Sequence, residues 1–192
     1  FRIVGLHAQP FLFLLALSLR RKPDSVSTEA IVPSATQETS TPLRLYFAGP
    51  LFTHGEWHWN ELLARELGKL GFSVFLPQSS AEPMLAGRQP FDESALFNKN
   101  VAELDACDAV VAVLDQADAD SGTCWGCWFA YSRGKTVIGV RTDLRDSGEE
   151  SGVNLMLSRS CKKLIVVRPE NRTDVALVAQ EVSAALSGAN AP

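Results

Sequence analysis

The chain has 192 residues, of which 46% are hydrophobic, and its mean hydropathy is +0.02. These values are typical of a water-soluble globular domain with material for one core. The net charge of −4 and a pI of about 5.4 argue against broad binding to nucleic acid or to an anionic membrane, both of which need clustered lysine and arginine. We also expect no stable insertion into a membrane. The four cysteines are too few for a disulfide scaffold, so we expect a reduced, cytoplasmic protein.

The first 42 residues differ in composition from the rest. Phe11–Leu19 is an apolar run of nine residues, and a bilayer span takes about 20. Basic residues follow this run, which is the reverse of the order in a secretory signal. Residues 22–42 are rich in Ser, Thr, Pro and Glu and are predicted to be a disordered linker. We expect a dispensable extension, with a signal remnant or anchor as the alternative, and a folded domain over 43–188.

Apolar runs and helical periodicities alternate through the first half of this domain. Residues 77–91 contain three prolines and a glycine and are predicted to be a long loop. The other predicted elements here are a strand over Leu43–Ala48, a helix over Glu56–Leu70 and a strand over Phe72–Leu76.

The second half continues the alternation. Asp92 is predicted to cap a helix that ends near Ala106, with Phe97, Val101 and Leu104 on its buried face. The remaining elements are predicted strands over Asp108–Leu114, Thr136–Val140 and Lys163–Val167, a helix between Asp120 and Gly134, an apolar stretch Val153–Leu157, and a helix over Thr173–Leu186. This order predicts an α/β fold with an open, mostly parallel sheet and helices on both faces.

Residues 120–135 contain Cys124-Trp-Gly-Cys127 near the start of a predicted helix. A helix N-terminus lowers the pKa of a thiol, so a redox pair is one interpretation. The other is that both cysteines are small core residues beside three aromatic side chains. A zinc site needs about four ligands, and neither a second cysteine pair nor a histidine cluster is present. Leu45–Pro50 is not a G-x-G-x-x-G motif, so we expect neither a metal nor a dinucleotide cofactor.

Three aspartates, Asp115, Asp118 and Asp120, follow the predicted central strand. Carboxylates at the carboxyl end of such a strand suit sugar hydroxyls or a base. Aspartate is also common in turns and at helix caps, which is the alternative for Asp115 and Asp118. Asp120 precedes Gly122 and the helix directly and is the best placed of the three.

Several short motifs occur together in an order that resembles the nucleoside 2-deoxyribosyltransferases. The match runs from Leu43 to about Arg168. Its motifs are Tyr46-Phe-Ala-Gly-Pro50, Gly71-Phe-Ser-Val-Phe-Leu-Pro77, Asn100 ahead of Asp108-Ala-Val-Val, Asp120-Ser-Gly-Thr123, Ala130-Tyr131, Gly134-Lys135 and Asn154-Leu-Met156. The resemblance implies a flavodoxin-like fold and a homodimer or larger homo-oligomer with a shared site. It also implies N-glycosidic bond cleavage in a 2′-deoxynucleoside through a carboxylate nucleophile, as in nucleotide salvage.

The resemblance also implies a substrate pocket for a deoxynucleoside, a nucleotide or a free base. Asp120 would contact the base, Gly49 would line the sugar pocket, and Asn154 of a neighbouring subunit would hold the 5′-hydroxyl. The full set of implied substrate-binding residues is Gly49, Pro50, Gln78, Asn100, Asp120, Gly122, Thr123 and Asn154.

The chain departs from the family at the nucleophile. The family motif is D-x-G-x-x-x-E-x-G, and six residues after Asp120 this chain has Gly126 in place of the glutamate. The following family glycine is replaced by Trp128, whose ring we expect beside the sugar. Asp115, Asp118 and Glu103 are candidate substitutes for the missing carboxylate. Two hypotheses remain open: an enzyme that transfers or hydrolyses, or an inactive nucleotide-binding or scaffolding homologue.

Overall fold

The computed structural model describes residues 41–145, 152–168, 170–171 and 173–188. The predicted apolar run at Phe11–Leu19 and nearly all of the predicted linker lie outside these residues. In the part of the chain that is described, no helix is long and apolar enough to cross a membrane.

Five parallel strands form one sheet in the order β2-β1-β3-β4-β5. The strands are β1 (Arg44–Ala48), β2 (Ser73–Phe75), β3 (Ala109–Val113), β4 (Thr136–Arg141) and β5 (Lys163–Val166). The order reverses between β1 and β3, because the chain moves to one side for β2 and to the other for β4 and β5. In open parallel sheets ligands bind at the carboxyl ends of the strands at such a switch point.

Among the described residues, six helices accompany the strands. They are α1 (His54–Lys69), α2 (Pro77–Leu85), α3 (Glu93–Ala106), α4 (Ser121–Ser132), α5 (Leu155–Ser160) and α6 (Val175–Ser187). Helix α1 begins with a reciprocal capping box: the Glu56 amide donates to Thr53 Oγ1 (3.2 Å) and the Thr53 amide donates to Glu56 Oε2 (2.8 Å).

Apolar side chains cover both faces of the sheet, because alternate residues of each strand point to opposite sides. Leu45, Phe47, Val111 and Val113 pack with residues of α1 and α6. On the other face, the buried core residues of β1 and β3 are Tyr46, Ala48, Val110 and Ala112, which pack with Leu104 of α3 and Cys127 and Ala130 of α4. The predicted α/β class, with helices on both faces of a parallel sheet, is confirmed.

The predicted long loop over 77–91 is wrong for its first half, since residues 77–85 form α2. Pro77 occupies the first helical position, where a missing N–H removes no intrahelical hydrogen bond. Pro83 lies inside the helix and does remove one, and the helix ends two residues later. The amides of Arg88 and Gln89 both donate to the Pro83 carbonyl oxygen, at 2.9 and 3.0 Å, and close the turn that follows.

Helix α3 has the predicted cap but not the predicted buried face. The Ala95 amide donates to Asp92 Oδ1 at 2.9 Å, and Leu104 is buried. Phe97, predicted to be in the core, is 58% exposed. Its ring lies beside Trp125 of α4 with 6.0 Å between ring centroids, so Phe97 contacts a neighbouring helix at the surface and does not pack beneath α3.

Candidate functional site

A cavity of about 360 Å³ opens at the carboxyl end of β1, between α3 and α4. Six residues predicted from sequence to belong to the site line it: Gly49, Asn100, Asp120, Gly122, Thr123 and Gly126. These residues come from the end of β1, from α3 and from α4. Gly49 and Gly126, the two farthest apart in sequence, are separated by 77 positions. The cavity lies at the switch point of the sheet, where this fold class places its ligands.

Gly49 lets the chain turn tightly at the end of β1. An added Cβ would lie 3.3 Å from Phe47 Cε1 and 3.4 Å from Asn60 Oδ1, contacts tighter than most side chains make. A larger residue would therefore displace these neighbours or the backbone that borders the cavity.

Asp120 both caps α4 and borders the cavity. Its Oδ2 accepts a hydrogen bond from the Thr123 amide (2.8 Å) and another from Thr123 Oγ1 (3.1 Å). The threonine is buried by this arrangement. Among the cavity-lining residues that the structure describes, Asp120 supplies the only carboxylate. Its Oδ1 is engaged by no hydrogen bond in the described part of the chain and is available to a ligand.

Gly126 forms part of the cavity floor. The helix buries this residue, and an added Cβ would lie 3.8 Å from Ala48 Cβ and 4.0 Å from Leu104 Cδ1, both ordinary contacts. A side chain can therefore be attached here without a clash at its first atom. As the chain stands, the floor at this point is apolar and carries no nucleophile.

None of the three candidate substitutes for the missing carboxylate lines the cavity. Asp115 accepts hydrogen bonds from the amide (2.6 Å) and hydroxyl (2.5 Å) of Thr142, which tie it to the end of β4. Glu103 accepts a hydrogen bond from Arg44 Nη2 at 2.9 Å, beside the first residue of β1. Asp118 borders a separate groove between α4 and α5.

Asn100 presents an unpaired amide at the cavity. Its Oδ1 is buried and accepts no hydrogen bond, and no hydrogen bond of its side-chain nitrogen is recorded within the described residues. Buried polar groups are nearly always paired, so a group that is not paired in the free protein is suited to a ligand donor. The side chain lies on α3 and faces Asp120 and Gly126 across the same cavity.

Three predicted site residues lie elsewhere. Gln78 is buried, donates to the Trp57 carbonyl oxygen (3.0 Å) and accepts from Asn60 Nδ2 (3.0 Å), and Pro50 accepts from the same amide at 2.8 Å. These bonds join α1 to the loop after β1 and to α2, outside the cavity lining. Asn154 is exposed and caps α5, where its Oδ1 accepts from the Met156 amide at 2.9 Å.

Trp128 does not point into the cavity, contrary to the expectation from sequence. Gly126 and Trp128 are two positions apart on a helix and therefore lie on nearly opposite sides. Trp128 is 62% exposed and lines a groove of about 650 Å³ between α4 and α5, together with Tyr131, Asn154 and Met156. Trp128 thus belongs to the outer surface of α4 and does not line the cavity.

Two aromatic residues of the cavity, Tyr46 and Trp125, were not assigned a role from sequence. Burial raises the pKa of the Tyr46 phenol, so its hydroxyl stays neutral and does not act as a phenolate. Trp125 follows Gly122 by three residues and precedes Phe129 by four. That helical spacing was the available signal that it shares their side of α4.

Cys124 and Cys127 are free cysteines that lack the lowered pKa of a reactive thiol. Burial raises the pKa of Cys127, which is fully enclosed, and also raises the pKa of Cys124. A catalytic thiol needs the opposite shift. The described residues also contain no group of three His, Cys, Asp or Glu side chains that could hold a metal ion.

A parallel sheet of order 2-1-3-4-5 with a small-molecule cavity at its switch point defines a flavodoxin-like α/β protein. Residues 45–157 match the family model of nucleoside 2-deoxyribosyltransferases, which is more than half of the chain. The chain therefore belongs to the nucleoside 2-deoxyribosyltransferase family. No relative was found among curated proteins.

Solved structures with the same fold include proteins from bacteria and a protozoan. A conserved protein from Enterococcus faecalis has a TM-score of 0.57 at 22% identity, covering 73% of this chain and 98% of its own. The 2-deoxyribosyltransferase of Bacillus psychrosaccharolyticus has a TM-score of 0.50 at 24% identity, covering 69% and 90%. That of Leishmania mexicana has a TM-score of 0.50 at 23% identity, covering 72% and 98%.

Proposed function

We propose that this protein binds a 2′-deoxynucleoside or nucleotide in the cavity between α3 and α4, and that the covalent sugar transfer of its family is lost or very slow. The observation that carries the proposal is the composition of the cavity. The expected ligand-facing residues Gly49, Asn100 and Asp120 surround it, and Gly126 stands where the family has its nucleophilic glutamate.

The chemistry of the missing group supports the second half of the proposal. Retaining transfer needs a nucleophile that forms a bond to the sugar C1′ while the bond to the base breaks. Gly126 has no atom that can do so. Asp120 is the only carboxylate of the described lining, and its hydrogen bonds to Thr123 hold it at the start of α4. Removal of a covalent nucleophile costs several orders of magnitude in rate.

The same resemblance supports a homo-oligomer in which a neighbouring subunit completes the site. Asn154, expected to hold the 5′-hydroxyl, does not line the cavity of its own chain and borders the groove between α4 and α5. Large apolar side chains are exposed along this groove, among them Trp128 (62%) and Met156 (78%). In the proposed assembly a second copy covers this surface.

The test is base exchange between 2′-deoxyinosine and free adenine, followed by chromatography, with the natural protein and with Gly126→Glu. The glutamate has room at its first carbon, since the nearest atoms are 3.8 and 4.0 Å away. We expect 2′-deoxyadenosine to form at least about a hundredfold faster with Gly126→Glu than with the natural protein.

Gly126→Gln is the matched control, because it fills the same volume without a nucleophilic carboxylate. It should stay as slow as the natural protein. If the natural protein exchanges bases as fast as Gly126→Glu, another group performs the chemistry and the proposed loss of transfer is wrong. If Gly126→Glu folds but does not exceed the glutamine variant, the cavity does not hold a nucleoside in the family manner.

A further inference from the structure

Gln116 has a backbone conformation that residues other than glycine seldom adopt. Among the residues that the structure describes, it is the only one other than glycine with a positive φ, which is 79°. It lies in the loop that follows β3 at the carboxyl edge of the sheet. Such a conformation is strained, persists only where the surroundings hold it, and is concentrated at functional sites. The contacts that hold Gln116 are therefore informative.

Both backbone groups of Gln116 are held from the end of β4. Its amide donates to Asp143 Oδ2 at 2.9 Å, and its carbonyl oxygen accepts from Arg141 Nη1 at 3.2 Å. The same Arg141 nitrogen donates to the Leu114 carbonyl oxygen at 2.6 Å, and Arg141 is only 1% exposed. A buried guanidinium and a carboxylate thus fix the loop after β3 in its strained conformation.

The side chain of Gln116 reaches the start of α1. Its Nε2 donates to Glu56 Oε1 at 2.7 Å, which joins two positions 60 residues apart in the sequence. The other oxygen of this carboxylate, Oε2, accepts from the amides of Phe52 (2.9 Å) and Thr53 (2.8 Å). Glu56 therefore holds the loop after β3 with one oxygen and the loop after β1 with the other.

The loop after β1 forms part of the rim of the cavity. Leu51 and Phe52 line the cavity, and Phe52 is 75% exposed, so few packing contacts fix its position. The hydrogen bonds from the backbone to Glu56 are left to set where this rim lies. A loop that is ordered before a ligand arrives favours binding, because no free energy is lost in ordering it then.

We infer that Gln116 is a positioning residue of the cavity: its hydrogen bond to Glu56 orients the carboxylate that fixes the backbone of Phe52 and Thr53 at the rim. Gln116 does not line the cavity, so it acts through Glu56 and not on a ligand. The consequence for a bound nucleoside rests on the proposed function, whereas the consequence for the rim itself does not.

Hydrogen–deuterium exchange of the full chain, resolved at single amides by NMR, tests the inference without a ligand. Gln116→Asn keeps a residue that tolerates positive φ, but its side chain is one carbon shorter and does not reach Glu56. We expect the amides of Phe52 and Thr53 (the rim amides) to exchange about three- to tenfold faster in this variant, because the charge-assisted hydrogen bonds that hold Glu56 are reduced by one.

Three comparisons separate positioning from a general loss of stability. The Ala95 amide donates to Asp92 at 2.9 Å at the start of α3, away from Gln116, and should exchange at an unchanged rate. Gln89→Asn makes the same substitution at an exposed position and should leave the rim amides unchanged. Gln116→Lys keeps a donor for Glu56 and should restore most of the protection of the rim amides.

The proposed ligand provides a second measurement. Calorimetric titration with 2′-deoxyinosine should show about three- to tenfold weaker binding to Gln116→Asn than to the natural protein, because the rim then has to be ordered during binding. Gln89→Asn should bind 2′-deoxyinosine as the natural protein does.

The outcomes separate this inference from the proposed function. If the rim amides exchange equally in Gln116→Asn and the natural protein, or if the Ala95 amide is accelerated to the same extent, the inference is wrong. If the rim amides exchange faster but 2′-deoxyinosine binds equally well, Gln116 positions nothing that the ligand uses, and the nucleoside site stands without it. If 2′-deoxyinosine does not bind to the natural protein, the proposed ligand class is wrong and the exchange of the rim amides alone decides the inference.

Discussion

Asn100 and Asp120 are both polar residues of the cavity, but they relate differently to the fold. Asp120 contributes to stability through its cap on α4, and loss of such a cap costs about 1 kcal/mol. The Asn100 side chain forms no hydrogen bond within the described residues, and its Oδ1 is buried without a partner. An unpaired buried polar atom costs about 1–3 kcal/mol, so Asn100 lowers stability at a position where a ligand can use it.

Asn100→Leu is therefore expected to raise the free energy of unfolding by about 1 kcal/mol, because leucine has a similar volume and no polar atom to leave unpaired. The same change should weaken binding of 2′-deoxyinosine. Urea denaturation and calorimetric titration measure the two effects. Asn98→Leu is the control on the same helix: Asn98 is exposed, and its replacement should change either quantity little. If Asn100→Leu is less stable than the natural protein, the conclusion that the Asn100 amide has no partner is wrong.

Single residues also show the limit of motif matching. The motif places Gly126 and Trp128 together, two positions apart, and predicts that both alter the sugar pocket. Helical geometry separates them, with Gly126 in the cavity and Trp128 in the outer groove. Of these two positions, only Gly126 borders the cavity.

At the scale of elements, strand β4 contains a glycine, Gly139, that has no room for a side chain. Gly139 lies in the middle of this buried strand. A Cβ added there would lie 2.9 Å from Leu164 Cδ1 and 3.0 Å from Cys161 Sγ, closer than side-chain atoms pack. Strand β4 pairs with both β3 and β5. A shift of β4 at Gly139 would therefore disturb β3, and β3 leads into Asp120 and α4.

Gly139→Ala is expected to lower the free energy of unfolding by about 1–3 kcal/mol, because a well-packed core does not accept an added methyl group. Urea denaturation monitored by circular dichroism measures it. Gly68→Ala, in the exposed part of α1, has no atom within 4 Å of its added Cβ and should raise stability by up to about 1 kcal/mol. If the two variants are equally stable, β5 can move away from the added methyl group at position 139 without a loss of stability.

Elements with strong patterns were predictable from sequence. The continuous apolar run of β3, the caps Asp92 and Asp120, and Gly134 with φ of 70° after α4 gave boundaries within one or two residues of the structure. Helix α2 was missed, because prolines at 77 and 83 also suit a loop. Only the packing of its residues Gln78 and Ala81 against the domain favours a helix there.

At the scale of the whole molecule, the surface of α4 and α5 is unusually apolar for an isolated chain. Tyr131, Leu155 and Met156 are 53%, 47% and 78% exposed, and they surround the groove that Trp128 and Asn154 line. Large exposed apolar patches mark interaction surfaces. The proposed homo-oligomer would cover this surface.

Met156→Glu is expected to dissociate that assembly, because it places a charge without a partner in an apolar interface. Sedimentation velocity should show a dimer or larger species for the natural protein and a monomer for the variant. Leu85→Glu is the control, since Leu85 is 59% exposed at the end of α2 and does not line the groove. A monomeric natural protein at micromolar concentration would contradict the proposal.

The sequence by itself determined the α/β class and the family. These conclusions depend on local patterns, namely apolar runs, caps and short motifs in a fixed order. Such patterns are visible in the amino-acid sequence without the tertiary structure. The family resemblance placed residues 49, 100, 120 and 126 in a common site, and all four line the same cavity.

Only the tertiary structure decided which groups meet at that site. Glu103 and Asp115 accept hydrogen bonds from Arg44 and Thr142, respectively, and do not line the cavity, while Trp125 lines the cavity in which Trp128 was expected. The physical reason is that side-chain direction depends on helix rotation and on partners from distant segments. Neither is encoded in the spacing of a motif.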